Sequence, residues 1–321
     1  MKRIGVLTSG GDAPGMNACV RAAVRAALSL GLEVYGVRRG YSGLIDGDME
    51  QLTARDVGGI IQRGGTFLQT ARSAEFMTVE GRIQAVRRMS DRRIDGLFII
   101  GGNGSLAGAY ELHKMGIPVV GAPGSIDNDI PCTDMAIGVD TALNTMVDII
   151  DMIKDTASSH QRCFLVQVMG RHHGYLALIG GIIGGAEVTV LPEKEQTLEE
   201  IAAAVQQAYV RGKSHAIIVV AEGAKTPAEE IADYLRKSEA SFEVRYTVLG
   251  HVQRGGSPSA FDRLLATRMG VRAAKALHAG EWGKMTALVG SKLELVDLDK
   301  VISATPKLNE STYELAEMLA R

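Results

Sequence analysis

The chain has 321 residues, 46% of them apolar and 22% charged, a balance that fills a globular core and excludes a disordered chain. Its 35 Lys and Arg stand against 37 Asp and Glu, a net charge of -2 that leaves no basic excess for wrapping nucleic acid. Small ligands are therefore the better expectation than polymers.

Short aliphatic runs recur along the chain: 4–7, 34–37, 97–100, 119–122, 164–168, 188–191, 216–220 and 244–249. Each reads as a strand buried on both faces. Helical patterns lie between many of them, one carrying Val20, Val24 and Leu28. Another runs over 140–157, with Leu143, Met146, Val147, Ile150 and Ile153 on one face and Asp140 as its N-cap. This alternation predicts an α/β protein with largely parallel sheets. Cys19, Cys132 and Cys163 lie far apart without CxxC spacing, which fits a reducing compartment rather than a disulfide framework or a zinc knuckle. No signal-peptide pattern opens the sequence, and the apolar stretch 175–186 is too short to span a bilayer, so a soluble cytoplasmic protein with no membrane partner is expected.

In open α/β sheets, ligands bind beyond the carboxyl ends of the strands, where turns offer backbone N–H groups and helix N-termini to anions. Three turns look built for this: Ser9-Gly10-Gly11-Asp12-Ala13-Pro14-Gly15-Met16-Asn17 after the first strand, Gly101-Gly102-Asn103-Gly104-Ser105, and Pro123-Gly124-Ser125-Ile126-Asp127-Asn128-Asp129. None is a Walker A loop, and none has the spacing of the dinucleotide fingerprint. A single such turn is more often mere geometry; three in one chain favour phosphate. Asp127 and Asp129 suit a pair in which one carboxylate accepts a hydroxyl proton while the other orients it or meets a metal, although an isolated Asp-Asn-Asp would read as an Asx-turn.

The segments GVLTSGGDAPGMNA near the start, GYSGL at 40–44, RGGTFLQTARS at 63–73, PGSIDNDI at 123–130, VMGRHHG at 168–174, VVAEG at 219–223 and VLGHVQRGGSPSAFDR at 248–263 closely resemble the family of bacterial ATP-dependent 6-phosphofructokinases. The resemblance covers essentially the whole length. It implies two similar three-layer αβα lobes with the active site in the cleft between them: 1–138 plus about 253–303 for ATP, and 139–252 plus about 304–321 for fructose 6-phosphate. It makes Asp127 the base toward the sugar's 1-hydroxyl, places Asp129 at sugar and metal, and puts Ser125 where the family has threonine. Arg171 would reach the transferring phosphoryl group. ATP would be served by Gly11, Tyr41, Arg72, Ser73, Gly102, Asn103, Gly104, Ser105 and Gly108. The sugar phosphate would meet Arg162, Met169, Gly170, Arg171, Glu222, Arg245, His251 and Arg254, with Arg162 and Arg245 reaching across from a neighbouring subunit of a homotetramer. Mg²⁺ is the implied cofactor.

Arg21 and Arg25 lie at i and i+4 on the first helix, where like charges repel unless an anion sits between them. The resemblance extends this to an ADP or phosphoenolpyruvate effector site with Lys154, Glu187, Arg211 and Lys213. The family's GGDGS motif has a metal-holding Asp where this chain has Asn103, in a turn whose flanking glycines suit left-handed backbone, so a weakened metal position and a non-catalytic nucleotide-binding regulator both stay open. A pyrophosphate-dependent enzyme of the same fold is the other alternative; Gly104 and Gly124 leave the adenosine pocket unfilled and favour ATP. NAD and lipid kinases, which share a GGDG turn, lack the HVQRGG segment.

Overall fold

The structure, a computed structural model, describes residues 1–238 and 243–320; residues 239–242 and 321, within the expected sugar lobe, lie outside it. The chain forms two compact units, one of Met1–Ile126, Ile130–Thr141 and Arg254–Thr305, the other of Asp127–Asp129, Ala142–Gln253 and the chain from Pro306 on.

The first unit opens with β1 (Arg3–Ser9), α1 (Met16–Ser29), β2 (Glu33–Val37), α2 (Gly40–Asp46), β3 (Met49–Leu52), α3 (Val79–Asp91), β4 (Gly96–Gly101), α4 (Asn103–Lys114) and β5 (Val119–Pro123). Helix α5 (Val139–His160) leads into the second unit, which contributes β6 (Arg162–Val168), α6 (Tyr175–Ile183), β7 (Val188–Val190), α7 (Leu198–Val210), β8 (Ala216–Ala221), α8 (Ala228–Lys237) and β9 (Glu243–Val248). The chain then returns to the first unit through α9 (Ala260–Ala279), β10 (Lys284–Val289), β11 (Lys292–Asp297) and α10 (Leu298–Ser303), and ends in the second with α11 (Glu310–Leu319).

Two sheets result: a seven-stranded one of order β11-β10-β5-β4-β1-β2-β3 and a four-stranded one of order β7-β8-β6-β9. Only β3 on β2 and β11 on β10 pair antiparallel. Those two edge strands escape a search for apolar runs because each is half exposed. Strand β10 escapes it because Thr286 interrupts the run, although the threonine is fully buried with its hydroxyl donating to Gly121 O at 3.3 Å.

Side chains of the second sheet alternate between two cores. Leu165, Val188, Val190, Ile218 and Val220 pack with Ile201, Val205, Ile231 and Leu235 of α7 and α8. On the other face, Val166, Val168, Ile217 and Val219 pack with Met146 and Ile150 of α5 and with Ala177 and Leu178 of α6. Strand β9 corrects the expectation of burial on both faces: it is an edge strand, with Glu243, Arg245 and Val248 exposed. In the first unit α1 and α9 approach so closely that a Cβ on Gly270 would lie 2.5 Å from Cys19 O. Burial pushes the Cys163 thiol up to about 12, so it is an inert packing group.

Asp140 also corrects the reading, since it lies inside α5 rather than capping it. The cap comes from α9. Asp262 Oδ1 accepts from Gly138 N at 2.9 Å, and Oδ2 accepts from Thr141 N at 2.8 Å and Thr141 Oγ1 at 2.6 Å. Ser259 caps α9 by accepting from Asp262 N at 3.2 Å, and it donates to Asp140 Oδ2 at 2.5 Å. Gly138 can take part because its φ of 104° is glycine territory, and a Cβ there would lie 2.7 Å from that of Ala13. Burial raises the Asp262 pKa, and the three donors oppose it without reversing the direction. Replacing Asp262 by Ala strands three buried donors and should cost about 3 kcal/mol or more in a urea titration with unchanged slope; a loss below about 1 kcal/mol would show that this cap is dispensable.

Candidate active site

Strands β1, β4 and β5 are parallel neighbours in register Ser9↔Gly101 and Gly101↔Pro123, so the three glycine turns leave the sheet side by side. Gly124 N donates to Gly101 O at 2.9 Å, and Thr70 Oγ1 donates to Gly10 O at 2.7 Å. A Cβ on Gly101 would lie 2.3 Å from Ser9 O, so glycine is dictated by packing. Because β2 lies on one side of β1 and β4 on the other, the chain changes direction across the sheet at β1, the position where such sheets form a crevice. Helices α1 and α4 start here without side-chain caps; Met16 N donates to Ala13 O at 3.2 Å and Ser105 N to Gly102 O at 3.0 Å, so the positive end of each helix dipole faces the turns.

The turn at Asn103 differs from expectation: Asn103 is the first residue of α4, and none of Gly102, Asn103 and Gly104 has positive φ. Its backbone lies at the positive end of a helix, which suits the phosphates of a nucleotide. A Cβ at Gly104 would meet nothing within 4 Å, so open room exists there. At Gly124 a Cβ would lie 2.8 Å from Met16 Cε, the end of a flexible side chain. Tyr41 is buried, its hydroxyl donates to Ser105 O at 2.6 Å, and its ring stacks on Phe76 at 3.9 Å. Gly108 is a glycine because that ring would lie 2.8 Å from its Cβ. These two residues brace the turn. Ser73 Oγ accepts from Phe76 N at 3.2 Å, while Arg72 is exposed. Arg254 joins this edge: its Nη1 donates to Asp12 O at 3.1 Å and would lie 2.6 Å from a Cβ on Gly11. Ser125, half-buried, closes the third turn, whereas Asp127 and Asp129 are grouped with the second unit on either side of Asn128, whose φ of 48° a short polar side chain tolerates.

In the second unit β8, β6 and β9 are again parallel neighbours. Their carboxyl ends deliver Glu222, then Met169, Gly170 and Arg171, then His251 to one edge. Glu222 N donates to Val168 O at 2.8 Å, Gly223 N to Gly170 O at 3.2 Å, and Leu249 N to Gln167 O at 2.9 Å. Gly170, with φ of 127°, turns the chain, and a Cβ on Gly223 would lie 1.8 Å from Arg171 O. Arg171, Glu222 and His251 are exposed. His173 is buried with Nδ1 2.9 Å from Glu193 Oε1, and His172 is exposed, so the doublet points both ways and forms no metal pair. Burial raises Glu193, but hydrogen bonds from His173 and Gly174 N outweigh it and hold the carboxyl below its ordinary value. Among the described residues, no group of three or more His, Cys, Asp or Glu is spaced to hold a metal ion.

Arg162 and Arg245 are elsewhere. Arg162 begins β6 and Arg245 lies opposite Phe164 on β9, so six residues of strand separate Arg162 from Val168. At about 3.3 Å per residue, the backbone of Arg162 lies roughly 20 Å of strand from the end that leads to Met169 and Arg171, and that of Arg245, level with Phe164, roughly 13 Å.

Of the effector candidates, Lys154, Glu187, Arg211 and Lys213 belong to the second unit, and Arg21 and Arg25 to the first. Glu187 is buried and committed, accepting from Lys213 Nζ at 2.8 Å and Ile217 N at 2.5 Å. A Cβ on Gly185 would lie 3.4 Å from Lys154 Nζ, and Arg211 Nη2 donates to Ala320 O at 3.1 Å. A cavity of ≈ 300 Å³ adjoins them, lined among others by Glu187, Gln196, Arg211 and Tyr313.

Sequence reasoning missed Gln253, fully buried in the HVQRGG segment, whose Oε1 accepts from Met169 N at 2.8 Å. It also missed Asp262 and Glu243. Each bonds a group more than eighty positions away, Glu243 accepting from Arg162, so only the folded chain shows their use.

One unit with glycine turns and bare helix N-termini, and another with arginine, histidine and carboxylate at its strand ends, define an α/β protein that handles phosphoryl groups. The phosphofructokinase family profile matches residues 3–277, and the chain belongs to that family. It is 54% identical, over the whole of both chains, to the ATP-dependent 6-phosphofructokinase of Thermotoga neapolitana, and 50% identical to that of Bacillus pumilus, again over both whole chains. Among solved structures it resembles Saccharomyces cerevisiae phosphofructokinase with a TM-score of 0.89 and 36% identity, covering all of this chain and 48% of that longer one. The pyrophosphate-dependent phosphofructokinase of Marinobacter aquaeolei shares the fold, with a TM-score of 0.88 at 21% identity, covering 100% of this chain and 92% of that one.

The glycines at the two edges should respond differently to a methyl group. Gly223→Ala drives a Cβ into a backbone carbonyl and should destabilise by about 1–3 kcal/mol, whereas at Gly11 the obstacle is the end of a flexible arginine and the loss should stay below about 1 kcal/mol. Denaturant titration of both variants checks this, and equal losses would contradict it.

Proposed function

We propose that this chain moves the terminal phosphoryl group of ATP to the 1-hydroxyl of fructose 6-phosphate, with Asp127 as the base. The observation that carries the reading is full-length identity above one half to a curated ATP-dependent 6-phosphofructokinase, together with the sugar motifs meeting at one strand edge. The chain is thus a kinase of the family that performs this step of glycolysis, and we place it in the cytoplasm with its substrates; no helix among the described residues is long and apolar enough to cross a membrane.

In this mechanism the Asp127 carboxylate takes the hydroxyl proton as the sugar oxygen forms its bond to the γ-phosphorus, the bond to the β-γ bridging oxygen breaks, and ADP leaves with that electron pair. Arg171 stabilises charge on the equatorial oxygens of the group in flight. Met169 and Glu222 line the sugar, and His251 and Arg254 hold its polar groups. Gly11 and the N-terminus of α4 receive the nucleotide phosphates, with Arg72 beside them.

Mg²⁺ bound to those phosphates would neutralise charge as it develops. The residues fit a cation that arrives on its nucleotide: a hard ion that keeps waters and phosphate oxygens needs only one or two protein oxygens, for which Asp129 and the Asn103 amide serve. No three-ligand cage is required.

Arg162 and Arg245 serve the sugar 6-phosphate of a second copy of the chain, as the family motifs imply; their backbones start about 20 and about 13 Å of strand from their own sugar edge. A homotetramer supplies that copy. Lys154, Arg211 and Lys213, with Arg21 and Arg25, form the binding set for an ADP or phosphoenolpyruvate effector.

Asp127→Asn should lower kcat by about 100-fold or more while moving KM for fructose 6-phosphate much less. Coupled ADP release with ATP, against phosphate release with pyrophosphate, should show turnover with ATP alone. An unchanged kcat in the variant ends the assignment of the base. Equal turnover with pyrophosphate, or none with ATP at saturating Mg²⁺, overturns the donor reading or the enzymatic one.

A further inference from the structure

On β9 the residues Glu243 and Arg245 are two apart and share a face, and parallel register sets Arg162 of β6 directly opposite Glu243. Both guanidiniums converge on that one carboxylate: Arg162 Nε donates to Oε2 at 2.6 Å, and Arg245 Nη2 donates to Oε1. The cluster sits on an edge strand, with side chains of Arg162, Arg245 and Glu243 exposed by 22%, 49% and 48%. It holds two cations and one anion, so it carries a surplus positive charge and solvent can reach every member.

We propose that Glu243 is a resident counter-anion that occupies the Arg162–Arg245 pair and must be displaced by an incoming phosphate dianion. Guanidinium binds phosphate and carboxylate in the same planar, two-point fashion, so the two anions compete for the same donors. A dianion satisfies both arginines, but a retained Glu243 would place a like charge beside it. Since an exposed ion pair contributes little, the carboxylate leaves at small cost to the dianion, whereas a singly charged anion gains no such advantage over it. Glu243 therefore sets both the affinity of this pair and its preference for doubly charged ligands. This rests on the reading of Arg162 and Arg245 as phosphate ligands of a second copy.

The test is Glu243→Gln in the full-length enzyme, a surface change of equal shape. KM for fructose 6-phosphate should fall about 3- to 10-fold, with kcat within about twofold of the parent and unchanged elution in gel filtration. The constant for competitive inhibition by inorganic phosphate should fall by a similar factor, a readout that needs no sugar. If both constants stay put or rise, Glu243 aligns the arginines or is idle, and the proposal is wrong. Arg162→Ala and Arg245→Ala separate the two levels: if they raise KM while Glu243→Gln does nothing, only this inference fails, and if neither raises KM, the phosphate reading of the arginines fails with it.

Discussion

In a parallel sheet every strand leaves by the same edge, and in this chain that constraint acts twice. In the first unit it brings Ser9, Gly101 and Pro123 into line, so three turns separated by up to about a hundred residues of sequence open side by side. In the second it lines up Val168, Ala221 and the end of β9, so Met169, Glu222 and His251 share an edge. The glycines follow from this crowding. Gly101 and Gly223 have no room for a Cβ because a backbone carbonyl of the adjoining turn already fills the space. Hydrophobic alternation across each sheet fixes the strands, and the fixed strands position the chemistry.

The same constraint explains what is kept apart. Arg162 and Arg245 belong to the amino halves of β6 and β9, set back along the strands from the carboxyl edge that carries Met169 and Arg171. In the proposed function a second copy supplies these two arginines, which would make oligomerisation part of the chemistry. Both guanidiniums meet there on the carboxylate of Glu243.

Much of this was legible in the sequence because it rests on local sterics. Fully buried strands are aliphatic runs, tight turns need glycine, and the HVQRGG segment is specific enough to identify by eye. What failed to show depends on partners distant in the chain. Asp262 reads as an ordinary helix residue until it is found capping α5 more than a hundred positions earlier. Asp140, the obvious cap from spacing, lies one residue inside the helix. Met16 beside Gly124 and the Tyr41 hydroxyl on Ser105 O are contacts between distant turns that spacing does not reveal. Edge strands β3 and β11 lack a continuous apolar run because exposed polar residues interrupt them, Glu50 and Gln51 in one and Lys292 and Glu294 in the other.

The claim on which the account turns is that one copy supplies Asp127 and another supplies Arg162 to the same sugar. Mixing tests it directly. Asp127→Asn and Arg162→Ala chains, each feebly active alone at low fructose 6-phosphate, are unfolded together in equal amounts, refolded and assayed. If the two residues come from different copies, random assembly rebuilds intact sites, and activity should rise toward about a quarter of the parent's. If both residues act within one chain, every site keeps one defect, and a mixture no more active than the sum of its parts would contradict the account.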